Sequence, residues 1–431
     1  MNEPTLPLTR PSSATSWWVA LLSAAVVTAT ALTCHRSGLS VLATFFVALA
    51  ALVGFQAALE LLVRKVHLRE STGLIFQADR LHRNLSIARS LAKLGGLYAT
   101  LGVLALVYWL IPMYSNAFHR SFWEVVRIGA PYFVAVSIPY FLLIDALMVE
   151  PKDGYWHFAQ FASLRFGKVN WKILREHAMG WAIKGFYLPL MVPYLLAALK
   201  HFTNFPGKLT LVTTVFHVAA FALFVDLSFV VIGYTFTVRI LDSQIRSSNP
   251  FLIGWAACLI LYQPFWGVIP LGYSDGVNWF KWFDNLPALL YAWAGLLIVA
   301  KLGWAWSNII FGFRFSNLTH RGIITGGAYR FTKHPSYLFK NLGWWLTYVP
   351  FLSAAGPAEA FKNCAALTAV SALYFIRART EENHLSEDPV YVAYARWIEE
   401  HGLLRWIGRA VPLLRYQPPP AEPEPPATTE T

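Results

Sequence analysis

The sequence is short of charge. Asp, Glu, Lys and Arg make up 13% of its 431 residues, against about 25% in soluble domains. So little charge cannot cover a soluble surface of this size, and 56% of the chain is hydrophobic. Cysteine is scarce as well: Cys34, Cys258 and Cys364 each lie in or beside an apolar run, and no Cys-x-x-Cys pair occurs. That excludes a disulfide framework and a cysteine zinc site, and no metal centre is expected. No two glycines are spaced Gly-x-Gly and no P-loop occurs, so the glycine-rich nucleotide loops of soluble enzymes are missing. Of 12 His, only His217 lies well inside an apolar span. A bis-His haem between helices is therefore excluded, and His217 reads as a packing residue.

What the chain has is long apolar runs. A membrane-crossing helix needs about 20 apolar residues. Eight such runs occur, at 17–34, 38–62, 91–112, 124–148, 179–199, 209–233, 250–272 and 286–312. Two shorter runs, 338–354 and 360–376, flank Ala-Ala-Gly-Pro at 354–357 and read as a helical hairpin. The expected fold is an all-α polytopic membrane protein of about ten transmembrane helices, ending in that hairpin. The first apolar run follows a polar, Pro/Ser/Thr-rich segment and has no clean cleavage pattern, so it reads as a first crossing rather than a signal peptide.

Loop charges support the count. Arg64, Lys65, Arg69, Arg80, Arg83 and Arg89 fall in one loop. Lys152, Arg165, Lys168, Lys172 and Arg175 fall in another, and Arg314, Arg321, Arg330 and Lys333 in a third. In a ten-helix chain all these loops share one face, with Arg377 and Arg379, while 113–123, 200–208 and 273–285 carry few charges. By the positive-inside rule both termini are cytoplasmic, in a plasma or inner membrane. The same rule accounts for the net charge of +12 without a nucleic-acid partner. Residues 155–178, rich in Trp and Phe with spaced basic residues, read as an amphipathic helix on the membrane surface. The chain thus divides into a polar segment at 1–16, a seven-helix region of unknown role at 17–285, a chemistry-bearing region at 286–410 and a disordered Pro-rich tail at 411–431. No oligomeric state can be read from it.

Ionisable residues inside apolar runs mark sites. Asp226 is the deepest and is expected to contact substrate; Glu60 and Asp145 sit near run ends and read as interfacial. The densest polar constellation brackets the hairpin. Before it comes Gly327-Ala-Tyr329-Arg330-Phe-Thr-Lys333-His334-Pro335-Ser-Tyr337-Leu-Phe339. After it come Arg377-Ala-Arg379-Thr-Glu381-Glu382-Asn-His384-Leu385 and Asp388-Pro389-Val-Tyr391-Val-Ala-Tyr394. A hairpin returns its ends to one membrane face, so His334 and Tyr337 can share a pocket with Arg377, Glu381 and Glu382. Arg377 and Glu381 are four apart and lie on one helix face.

In order and spacing, residues 286–406 resemble the isoprenylcysteine carboxyl methyltransferase superfamily, which includes phospholipid methyltransferases. The resemblance implies a membrane enzyme that uses S-adenosylmethionine and takes a lipid-like acceptor from the bilayer, an isoprenylcysteine-type or other lipidic carboxylate being the favoured one. It implies that Tyr329, His334, Pro335, Tyr337, Glu381 and Glu382 hold the cofactor. It places Arg377 and Glu381 at the reacting centre, with Arg330 touching substrate. Lys333 stands where Arg is commoner in the family, and Phe339 where Gly is usual; Phe339 is expected to crowd the pocket or shift the helix start. Two other classes fit parts of the pattern. An NADPH-dependent sterol or isoprenoid reductase shares a His-Pro ending but typically has Arg-Asp where Glu381-Glu382 stand. A transporter or scaffold with a degenerate enzyme tail would explain the long front end.

Overall fold

The computed structural model describes residues 9–205, 207–268, 272–274 and 276–418. It is 73% helical, and the all-α membrane architecture expected from the sequence is what forms. The first helices are α1 (Trp17–Arg36), α2 (Val41–Ala58), α3 (Ala78–Asn84), α4 (Ile87–Leu110) and α5 (Arg120–Leu147). Next come α6 (Gly154–Ala162), α7 (Trp171–Thr203), α8 (Leu211–Thr235), α9 (Leu252–Leu259) and α10 (Trp279–Trp282). The chain ends with α11 (Pro287–Ile309), α12 (Pro335–Tyr348), α13 (Pro357–Leu385), α14 (Pro389–His401) and α15 (Arg405–Ala410).

Local chemistry sets many of these starts. Ser40, Asp153, Asn170, Thr210 and Asp388 each accept a backbone N–H in the first turn of the helix they precede, which satisfies donors that have no partner inside the helix. Pro287, Pro335, Pro357 and Pro389 open α11 to α14, where the missing N–H costs nothing.

Among the described residues seven helices are long and apolar enough to cross a membrane: α1, α2 with its π-helical extension to Val63, α4, α5, α7, α8 and α11. α7 and α8 are the most buried of them and pack on each other, while α8 also packs on α11 and α11 on α12. The expected crossing at 250–272 is not one helix. Asn249 pairs with Leu318 on the charged face, whereas Trp279 and Phe283 cluster with Val215, Ala294, Leu346 and Val349 at the far end of the bundle. Between them, among the described residues, only Leu252–Leu259 is α-helix. Hydropathy registers apolarity, not backbone continuity, so the run read as a full helix. Against about ten expected, seven helices among the described residues are long and apolar enough to cross; neither hairpin arm is among them. Residues 155–178 also differ from the single surface helix expected: α6, a 3-10 turn at Phe166–Lys168 and the start of α7 share them. α6 packs directly on α4, with Tyr155 carbonyl against Gly96.

The basic loops do meet on one face. Asp242 there accepts from Arg314 at 2.6 Å and pairs with Arg69 and Arg246, each at 3.4 Å. Arg321 donates to the carbonyls of Gly233, Phe236, Ser243 and Phe315, tying the end of α8 to the segment before α12. A two-residue strand, β1 (Ser247–Ser248), pairs antiparallel with β2 (Thr319–His320). Glu60 pairs with Arg64 at 2.9 Å, and Asp145 with Arg89 and Lys93 at 2.8 Å, so both carboxylates have basic partners. The tail starts later than 411: Pro412–Leu414 is a 3-10 turn and the Tyr416 hydroxyl meets Ser386 at 2.9 Å. The rest of the expected tail, 419–431, and positions 1–8 of the N-terminal segment lie outside the described residues.

Candidate active site

The hairpin arms α12 and α13 close on each other at the charged face, as the motif order required. His334 immediately precedes α12, and Pro335 is the buried first residue of that helix. The His334 and Tyr337 rings stack with centroids 5.5 Å apart and planes 5° from parallel. The Tyr337 hydroxyl donates to Glu381 Oε2 at 2.8 Å. Arg377 lies over the rings of Tyr337 and Tyr374, at 5.2 and 5.3 Å, and donates to Asn317 Oδ1 at 3.0 Å. Among the described residues Arg377, only 6% exposed, has no carboxylate partner within ion-pair distance.

Glu382 faces another way. Its carboxylate meets Lys333 at 3.0 Å, His334 Nε2 at 3.0 Å and Arg379 at 2.9 Å. Lys333 also reaches Glu399 on α14 at 2.8 Å. Burial alone would raise the Glu382 pKa. The His334 hydrogen bond and the charges of His334 and Lys333 outweigh it and lower the value to about 2. On the next turn, burial and the neighbouring His320 charge lower His384 to about 4, and its Nε2 lies 2.8 Å from Ser247 Oγ.

His334, Tyr337, Arg377 and Glu381 open onto a cavity of about 690 Å³, inside the 300–1,000 Å³ typical of small-molecule sites. Of the residues expected at the site, Asp226, Tyr329, His334, Tyr337, Arg377 and Glu381 line it. Tyr329 is steadied from α14, where the Tyr394 hydroxyl donates to its carbonyl at 2.6 Å. Three expected residues are not in the wall. Pro335 sits beneath it as the helix start, and Glu382 braces His334 from behind. Arg330 is exposed beside the Phe331 ring, because the 3-10 turn Gly327–Arg330 aims it outward; the substrate contact expected for it has no geometric support.

The wall also contains residues that the sequence reading passed over, chiefly Lys340, Asn308, Asn317, Tyr262 and Tyr374. Tyr337, Lys340, Trp344 and Tyr348 form one stripe on α12 at helical spacing, a signal that was available in the sequence. Tyr262 was not legible, because it belongs to the broken passage. There the bilayer tolerates irregular backbone only when protein buries it or it lines a cavity. A smaller niche of about 40 Å³ adjoins the cavity and shares Ser316, Asn317, Tyr337, Arg377 and Glu381 with it. Phe339 neither crowds the cavity nor shifts the helix start. α12 begins at Pro335, and the Phe339 ring lies where a Cβ on Gly303 of α11 would stand, 2.6 Å from that position. The glycine missing from α12 is matched by one on its neighbour.

Residues 287–387 match the model of the isoprenylcysteine carboxyl methyltransferase (ICMT) family, under a quarter of the chain. No curated protein and no solved structure matches the chain. The matched segment spans α11 to the end of α13 and supplies most of the cavity wall. Asp226, Leu227 and Val230 on α8 and Met191 on α7 supply wall from outside it.

Proposed function

We propose that this multi-pass membrane protein is an S-adenosylmethionine-dependent methyltransferase acting on a lipid-like acceptor, with its charged face in the cytoplasm. One observation carries the reading. A buried arginine with no carboxylate partner among the described residues, a glutamate and stacked aromatic rings, all from the family-matched segment, converge on one cavity.

The donor set fits the cofactor. S-adenosylmethionine, when bound, supplies an electrophilic methyl group on a positively charged sulfur. Glu381 and the faces of Tyr337 and Tyr374 provide the negative and π surface that favours a cation in a dry pocket. Among the described residues Glu381 uses only Oε2 in a hydrogen bond, which leaves Oε1 for a ligand. Glu382 holds His334, which in turn stacks on Tyr337 and keeps that ring and its hydroxyl in place. Arg377 is suited to hold an anionic group in a bidentate grip. A lipidic carboxylate aimed by Arg377 is already nucleophilic at neutral pH, so orientation and exclusion of water are what the site contributes. Met191 and Tyr194 of α7 and Leu223, Leu227 and Val230 of α8 give the cavity an apolar wall along which a lipid chain can lie.

Titration calorimetry on detergent-purified protein tests the reading. Micromolar binding of S-adenosylmethionine, at least tenfold weaker in Glu381→Gln and Arg377→Gln, is expected. Binding of NADPH instead, or of neither ligand, would reject it.

A further inference from the structure

The cavity has a second polar pole, deeper in the membrane than the motif residues. Asp226 lies nine residues before the end of α8 at Thr235, roughly 13 Å along the helix from the charged face. It is 3% exposed and accepts from Asn308 Nδ2 of α11 at 2.6 Å. Among the described residues its Oδ2 has no donor, and Asn308 Oδ1 receives none. Lys340 of α12 shares this wall, and its charge interacts with Asp226 although the two are not in ion-pair contact. Its ammonium group sits among Trp304, Trp344 and Tyr374, with ring centroids at 5.8, 5.7 and 5.3 Å.

A helix-packing bond between α8 and α11 would explain Asn308 with Asp226. It does not explain a carboxylate oxygen without a donor or an ammonium group turned to the same space. A plain hydrocarbon chain laid here would strip water from both groups and leave the Asp226 oxygen without a donor. A hydroxyl group can donate to a carboxylate oxygen such as Asp226 Oδ2 and accept from an ammonium such as Lys340 Nζ, so hydroxyl chemistry suits both groups. We propose that the acceptor is a lipid whose chain carries a hydroxyl group, and that Asp226, Asn308 and Lys340 select it. This rests on reading the cavity as the acceptor site. Asp226 comes from α8, outside the family-matched segment, so the selection belongs to this chain's own front end.

Binding, rather than turnover, separates the two ideas. Stearate and a panel of hydroxystearates with the hydroxyl at different carbons are titrated into the purified full chain, with and without S-adenosylmethionine. At least one hydroxystearate is expected to bind about tenfold tighter than stearate. Asp226→Asn and Lys340→Met are expected to shrink that preference to under threefold, and cooperative thermal unfolding close to that of the wild type shows that both variants fold. Equal binding of stearate and every hydroxystearate by the wild type, or no binding of any of them, overturns the proposal. Selective hydroxystearate binding without S-adenosylmethionine binding upholds the subsite and rejects the methyltransferase reading instead.

Discussion

Glu381 and Glu382 are adjacent in sequence and have different tasks. Neighbouring residues on a helix point about 100° apart, so one carboxylate enters the cavity and the other enters the Lys333, His334 and Arg379 cluster. The sequence resemblance set both on the cofactor and Glu381 alone at the reacting centre, but it did not show that Glu382 turns away from the cavity, because that depends on how α13 is rotated against α12. Removing the Glu382 charge leaves Lys333 and Arg379 with one fewer carboxylate partner and weakens the contact with His334 in a buried site. Glu382→Gln is expected to lose about 3 kcal/mol of stability, read as a lower melting temperature, and to weaken cofactor binding through His334. Acid should act in two stages. His384, held below its ordinary 6.5 at about 4, is neutral in the fold, so its contribution is complete above pH 6.5 and falls as pH drops towards 4. Glu382, at about 2 against 4.5, contributes fully above 4.5 and loses that contribution between 4.5 and 2. Melting temperature against pH checks this: His384→Gln should remove the upper stage and leave the lower.

At the scale of elements, the hairpin and most crossing helices were legible because apolar length and loop charge are one-dimensional properties. Two features were not. The broken passage after α9 has the hydropathy of a helix and lacks its backbone. The pairing of Phe339 with Gly303 depends on which faces of α11 and α12 meet, which no single segment encodes. Gly303→Leu should force the two helices apart and cost about 1–3 kcal/mol, whereas Gly303→Leu with Phe339→Gly should recover much of that. A double-mutant cycle on thermal stability checks it; additive effects would mean that the two residues are not in contact. At the broken passage, cysteines placed at 273 and at 379 should react with a membrane-impermeant thiol reagent from opposite sides of sealed vesicles.

For the molecule as a whole, the site is a joint product of the family-matched segment and the helices that precede it. Sequence resemblance located the former but was silent about the latter, since α7 and α8 carry no motif and reach the cavity only by packing. A chain beginning at residue 245 would lack the α8 wall and the Arg321 anchorage to Gly233 and Phe236. It is expected to lose cofactor binding and to become protease-sensitive; retention of wild-type binding would show that the front end is dispensable to the pocket. The most direct measurement of the central claim is transfer of a radiolabelled methyl group from S-adenosylmethionine into organic-extractable lipid by the purified full chain. Label should appear in lipid with the wild type and fall at least 100-fold in Arg377→Gln and Glu381→Gln. Lipid labelling equal in wild type and both variants, or none with the wild type across a complete membrane lipid extract, would contradict it.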